Sequence, residues 1–523
     1  MPGTRHSRLY SSRLRRSLLL LAALFFCHAP AAILAQNQRG LRADAPRASA
    51  RLSVRDERFL EDLSRRSFQF FWEQTDPKTG LTLDRAHADG SPYPDDGPAH
   101  NIASIASVGF GLTGICIAAE RGWVTRDEAR QRVRTTLDFF ANRTENVHGW
   151  FYHFVDAATG ERRWNSEVSS IDTALLLGGV LTARQYFASD AEIKRLADQI
   201  YNRVDFDWMR NGHPTLLSMG YKPESGFLDV RWDTFSEHLI LQLLAIGSTT
   251  HPLKPEAWRA WRRDIYTYKG RTILTPHVSA NGGNPLFVHQ YPHGWVDFRG
   301  LRETWAPYTS YFENSVTATR VHRQFCMTDL ARDFPKSYSA NVWGITASDG
   351  EKGYTAWGGP PRDPAIDGTV VPCAAGGSLM FTPELSLAAL RTMKEKFGEK
   401  IYKHYGFVDA FNPTTGWIDK DVIGIDVGMT LLSAENLRTG NVWRWFMRNP
   451  EITRALELAG LRSHKGRGRT GRGSAVRIRA GASPSSRPAR LRRLNHSRHP
   501  ASQVRKGGLP PPALLSSTSS FSY

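Results

Sequence analysis

The 523-residue chain is short of the features that would assign a class at once. It has four cysteines, Cys27, Cys116, Cys326 and Cys373, and no CxxC spacing. That excludes a disulfide framework and a Cys/His zinc site, leaving room for one disulfide. Cys116 lies in the apolar run GLTGICIAA and reads as a small buried hydrophobe. No GxSxG elbow, HExxH or P-loop occurs, which removes three common hydrolytic and phosphate-binding chemistries. Acids are nearly absent from the ends. Residues 1–55 hold ten arginines and one aspartate, and residues 462–523 hold fourteen basic residues and no acid. The net charge of +18 therefore sits in the termini, and the stretch between them is near −5. A basic balance suggests polyanion partners; here the bulk of the chain does not share it, and no nucleic acid is required.

An uninterrupted membrane-length apolar run is also missing. Ser17 to Ala35 is largely apolar but is broken by His28 and Pro30. With Arg13, Arg15 and Arg16 before it and small residues leading to Gln36, residues 1–35 read as a signal peptide. Export to the periplasm or medium follows, with no transmembrane segment after its removal. Phe26 before Cys27 argues against a lipoprotein, and Arg15-Arg16 faintly resembles a twin-arginine signal. Residues 36–55 read as a linker. Residues 462–523 are low-complexity and basic, and are expected to be disordered because they bury too little apolar surface to offset ordering entropy.

What remains, residues 56–461, holds all fifteen tryptophans. Its dominant period is helical. The spacing predicts twelve helices, over 56–74, 102–120, 126–143, 169–188, 190–205, 234–247, 255–266, 310–332, 384–397, 398–405, 427–438 and 441–459. Strand-like alternation is limited to GWFYHFVD and GTVVPC. The segments at 102–120, 169–188, 234–247 and 427–438 are apolar on nearly every face. Those at 126–143, 190–205 and 441–459 carry charged stripes. The first kind is buried on all sides and the second faces water. Six such pairs make an all-α (α/α)6 toroid, and the lack of a fixed repeat period argues against a stacked solenoid.

In a toroid the starts of the inner helices line one mouth, and acids stand at three of them. Glu167 and Asp172 flank the start of ERRWNSEVSSIDTALLLGG, with Ser169 as a cap. Asp233 and Glu237 open RWDTFSEHLILQLLAIGS, where Thr234-Phe-Ser-Glu237 reads as a capping box. On a helical wheel Glu237 shares its side with Ile240, Leu241 and Leu244, away from His238 and Gln242, and Asp233 projects with it. Asp419, Asp421 and Asp426 precede or begin a third apolar helix. Each acid alone is an ordinary cap or dipole partner. Three together at one mouth suit glycoside hydrolysis, where one carboxyl protonates the leaving oxygen and the other activates water or attacks. Trp150, Trp164, Trp232, Trp295, Trp357 and Trp417 lie in Gly/Asp-rich loops and could stack on sugar faces, or pack in the core.

Seven ordered blocks, WNSEVSSIDTALLLGG, WDTFSEHLILQLLAIGS, PLFVHQYPHGWVDFRG, ENSVTATRVHRQFC, WGITASDGEKGYTAWGGPP, GTVVPCAAGGSLMFTPELSLAALR and VIGIDVG, resemble the glycoamylase-like family. That family includes the bacterial endo-β-1,2-glucanases of glycoside hydrolase family 144. The resemblance spans about residues 57–461. It implies an (α/α)6 toroid, a β-1,2-glucan or sophorose-type substrate, inverting hydrolysis, and no metal or cofactor. It implies Glu237 as general acid and Asp426 as general base, with Glu167, Asp172 and Asp233 holding substrate or water. Substrate contacts are further expected from Trp232, His289, Tyr291, Trp295, Asn314, Tyr354, Trp357 and Trp417. Val427-Gly428-Met429 departs from the Gly-Pro expected after Asp426, and the basic tail has no counterpart. The alternatives are a transferase or exo-acting sophorose-releasing hydrolase on the same fold, a non-catalytic β-glucan-binding protein, and a polysaccharide lyase, the last disfavoured by the acidic body. A monomer is expected.

Overall fold

The computed structural model describes residues 52–95, 97, 99–276, 283–305 and 309–463. The signal peptide, most of the linker and the tail from 464 lie outside the described residues. The larger helices are α1 (Val54–Glu73), α2 (Ile105–Arg121), α3 (Arg126–Asn142), α4 (Ser170–Tyr186), α5 (Ala191–Asn202), α6 (Leu239–Gly247), α7 (Tyr311–Phe325), α8 (Pro383–Phe397), α9 (Gly424–Arg438) and α10 (Pro450–Ala459). Local chemistry starts several of them. Ser53, Ser104, Ser169 and Asp190 accept from first-turn N–H groups, and Thr125 with Glu128 forms a full capping box.

The predicted contrast in helix character becomes a contrast in layer. α2, α4, α6 and α9 are buried almost throughout. α1, α3, α5 and α10 bury one stripe each. α2 and α4 have the most extensive helix–helix contact, and α6 packs on α4. Two glycines allow that approach. A Cβ on Gly109 would lie 2.2 Å from the Leu175 carbonyl oxygen, and one on Gly179 would lie 2.1 Å from the Gly109 carbonyl oxygen. α9, near the end of the domain, packs against α1 and α2 at its beginning. The buried layer therefore closes on itself instead of running open like a solenoid.

Several sequence expectations are corrected. The helix expected over 234–247 begins only at Leu239. That over 255–266 shrinks to Ala257–Ala260, and a hairpin follows, Ile265–Tyr268 against Arg271–Leu274. Its turn residues Lys269 and Gly270 both have positive φ, 45° and 81°, the backbone a two-residue hairpin needs. The segment 398–405 is a 3-10 turn and a short hairpin. The segment 441–459 breaks before Pro450, which takes the first position of α10. The helix over 310–332 gives way to a π turn at Cys326–Leu330. GTVVPC is no strand: Val370 makes a single bridge to Phe411, and Pro372 begins a five-residue helix. Among the described residues strands are more numerous than expected, but none exceeds four residues, and they tie loops together in pairs and one triplet. One pair, Arg85–His87 with Asp421–Ile423, clasps an early loop to the start of α9. The domain also runs slightly past the expected limits, from the cap at Ser53 to a strand ending at Ser463. Among the described residues no helix is long and apolar enough to cross a membrane. Cys116, Cys326 and Cys373 are all free, so the one disulfide left open does not form.

Candidate active site

Glu237 lies in the turn before α6, not within the helix. The capping box fails: the helix is preceded by His238, which makes no side-chain cap. Thr234 turns to Asp264 at 3.5 Å, and the Glu237 carboxylate takes the Ser236 hydroxyl. Solvent still reaches the side chain, but protein surrounds the rest. That burial pushes the carboxyl above its usual value, and the negative field of Asp172 adds to it.

Asp172 and Glu167 do come together, through a histidine that sequence reasoning missed. His153 Nδ1 is 3.1 Å from Glu167 and its Nε2 is 3.5 Å from Asp172. Burial works against a charged ring, but the two acids carry it up to about 9. Burial pushes the Glu167 carboxyl up, but the hydrogen bond and charge of His153, with a backbone N–H and Lys222, together bring it below its usual value. Asp172, more enclosed, is pushed up by burial in spite of His153 and Ser169. Ser169 caps α4 by accepting from the Asp172 N–H at 3.2 Å, and its hydroxyl goes to the Asp172 carboxylate. The one visible signal for His153 was a polar residue inside the apolar alternation GWFYHFVD.

Asp426 sits in the first turn of α9 and does not cap it. It is buried, and burial pushes its carboxyl up to about 6 against hydrogen bonds from Asp409 and the Cys373 thiol. Asp349 and Asp84 raise it further. Around it stand Asp349, Asp409 and Asp419, with oxygens all within 4.8 Å of one another. Arg85 answers them, at 2.7 Å from Asp349 and 3.0 Å from Asp84. Asp349 and Asp409 come from ASDG and GFVDAFN, acids set in loops with no helix start to flag them. Among the described residues, this trio and the group His153, Glu167 and Asp172 are the two sets that could hold a cation.

Tyr291 lies within electrostatic reach of both acids. It is buried, and both Asp426 and Glu237 act on its hydroxyl, as does half-buried Tyr354. Trp417 is also half-buried, on the strand Trp417–Ile418 that faces Phe411–Asn412.

Other expected substrate contacts turn out to be walls. Asp233 does not join Glu237; it pairs with Arg262 at 3.0 Å, where nearly half of its side chain is exposed. The wheel argument misplaced it because no helix exists there. Trp295 has no exposure at all, and its Nε1 donates to Thr113 at 3.0 Å. Trp232 is buried, donates to Ser170 at 2.9 Å and lies flat against His238. Trp357 is buried and donates to Ser348 at 3.1 Å. Trp150 is fully buried as well; Trp164 alone of the loop tryptophans is widely exposed. His289 and Asn314 are buried against each other at 3.3 Å. Asn284 holds the other nitrogen of His289, and Asn314 takes the Leu274 N–H. Burial pushes the His289 ring down to about 3, so it is a neutral spacer. His238 and Gln242, the polar pair on another side of the wheel, are completely buried.

Two helical layers with enclosed acids at the inner-helix starts are the architecture of an α/α toroid. The family model described as "Putative glucoamylase" matches residues 229–450. A Bacteroides caccae crystal structure of the same description is 30% identical, covering 78% of this chain and 100% of that one, with a TM-score of 0.71. The endo-β-1,2-glucanase of Chitinophaga pinensis, solved with sophorotriose and glucose, is 29% identical, covering 79% and 99% at a TM-score of 0.71. The exo β-1,2-glucooligosaccharide sophorohydrolase of Parabacteroides distasonis is 27% identical over 438 residues, 77% of this chain. The chain spans 58% of that curated relative's length. This protein belongs to the glycoamylase-like family.

Proposed function

We propose that the protein is an exported glycoside hydrolase that cleaves β-1,2-linked glucan by an inverting two-carboxylate mechanism. The observation that carries this is the pair Glu237 and Asp426, two enclosed acids on separate elements that both act on Tyr291. Relatives of about 30% identity that act on β-1,2-glucans supply the substrate class. Glu237, kept protonated by its surroundings, donates to the glycosidic oxygen as the bond breaks. Asp426 takes a proton from the water that attacks C1 from the opposite face. Glu167 and Asp172, braced by His153, hold sugar hydroxyls beside Glu237. Tyr354 and Trp417 offer partly open rings for the sugar faces. We further read the helices as six inner–outer pairs, the chain as a monomer, and residues 1–35 as the signal that exports it.

The test is a reducing-sugar assay across β-1,2-, β-1,3- and β-1,4-glucans, with the product anomer followed by NMR. Release from β-1,2-glucan alone, as the inverted anomer, is expected. Retention of configuration would overturn the mechanism, and release only from other linkages would overturn the substrate. The Parabacteroides relative favours an exo reading of the same chemistry. Product analysis distinguishes it: disaccharide alone for exo action, a ladder of oligomers for endo.

A further inference from the structure

Asp426 has a close companion. The Asp409 carboxyl is within hydrogen-bonding reach of it. Both line a small cavity of about 20 Å³ with Cys373, room for about one water. Asp409 is held rigidly: its N–H donates to the Asp421 carbonyl at 2.9 Å, and its Oδ2 accepts the Asp349 N–H at 2.8 Å. Its Oδ1 is buried with no donor among the described residues, on a residue only 3% exposed. A buried carboxylate oxygen with no donor is costly unless that oxygen carries a proton itself.

Two buried carboxyls in contact share one proton instead of both ionising. The geometry says which of them holds it. Asp426 lies in the first turn of α9, where the helix dipole favours an anion, and it also accepts from the Cys373 thiol. Asp409 has neither support. We propose that Asp409 is a positioning residue for Asp426: it retains the shared proton and donates it to the Asp426 carboxylate, which stays ionised and oriented toward the attacking water. The other groups facing the pair are Asp349, Asp84 and Asp419, with Arg85 as their counter-charge, and Tyr291 from the helix Tyr291–Trp295. The proposal rests on Asp426 as the base.

The experiment is the pH profile of kcat/KM on β-1,2-glucan for the wild type, Asp409→Ala, Asp409→Asn and Asp426→Asn. Asp409→Ala removes the donor and should move the acid limb up by about one pH unit. Asp409→Asn supplies an amide donor and should leave the limb in place, with turnover within about tenfold of wild type. An unmoved limb in Asp409→Ala beside an inactive Asp426→Asn overturns the proposal and leaves the base reading intact. Equal shifts in the Asn and Ala variants also overturn it. A fully active Asp426→Asn removes the base reading, and the proposal falls with it. Infrared difference spectra at neutral pH provide a readout independent of Asp409→Ala folding. Asp409→Asn should lose a protonated-carboxyl band; loss of a carboxylate band instead would overturn the assignment.

Discussion

Glu237 and Asp426 are both largely enclosed, but the acids around them are compensated to very different degrees. Beside Glu237, the acids Glu167 and Asp172 bracket a histidine that they keep charged. Beside Asp426, five further aspartates, Asp84, Asp349, Asp409, Asp419 and Asp421, share one arginine and, at 3.8 Å from Asp421, His87. The Glu237 carboxyl is therefore raised chiefly by its burial, with Asp172 adding to it. The other sits among buried aspartates whose mutual repulsion adds to burial in pushing its carboxyl up. The proposed general acid and general base are thereby given different environments by different means, as a two-carboxylate reaction requires.

The comparison can be broken most directly at its two centres. Glu237→Gln and Asp426→Asn should each lower turnover by at least about 10²–10⁴-fold with the melting temperature near wild type. In the wild type the acid limb of the rate profile should fall near pH 6, where Asp426 titrates. Comparable activity in either variant would remove that residue from the reaction.

A smaller effect is expected at His153. Its folded pKa of about 9 lies above the unfolded value of 6.5, so the folded state binds more protons between them. The stability it contributes is full below about pH 6.5 and is lost as pH rises through 9. His153→Gln should flatten this fall, with a difference on the order of 1–3 kcal/mol at pH 6 measured by denaturant melts. Parallel pH curves for the two proteins would show that the histidine is not charged.

On the other side the substitution should stabilise. Burial, then Asp349, pushes Asp419 up to about 7, so its ionisation weakens the fold as pH rises from 3.8 to 7. Asp419→Asn keeps an acceptor for the Asp421 N–H, now at 3.1 Å, and should raise stability at pH 8 by about 1–3 kcal/mol with little change at pH 4. A loss at pH 8 would mean that the Asp419 charge is compensated. Least of all is expected from Asp233→Ala, which breaks only a half-exposed pair with Arg262. Activity within about twofold and stability within about 0.5 kcal/mol should result. A large rate loss would bring Asp233 back into the site.

Legibility followed the range of the forces involved. The inner helices α2, α4 and α9 were readable because a segment apolar on every face has nowhere to lie but inside. Ser169 was readable because a cap is written within three residues. Glu237 was found as an acid before an apolar run, although the helix meant to display it does not begin there. The sequence leaves the loop tryptophans open between sugar stacking and core packing. Loop composition says nothing about which ring folds inward, and Trp150 and Trp295 have no exposure. Asp409, Asp349 and His153 were missed because each acquires its meaning from a partner far along the chain.

By itself the sequence determined the helical character, the division into buried and half-buried helices, and the acids available at the inner-helix starts, since periodicity and capping act over a few residues. Only the tertiary structure decided which acids meet. It closed α9 onto α1 and α2, clasped Arg85–His87 to Asp421–Ile423, and set Asp409 against Asp426 and His153 between Glu167 and Asp172. A carboxyl's proton depends on burial and on charges brought from other elements, and no local stretch of sequence contains those.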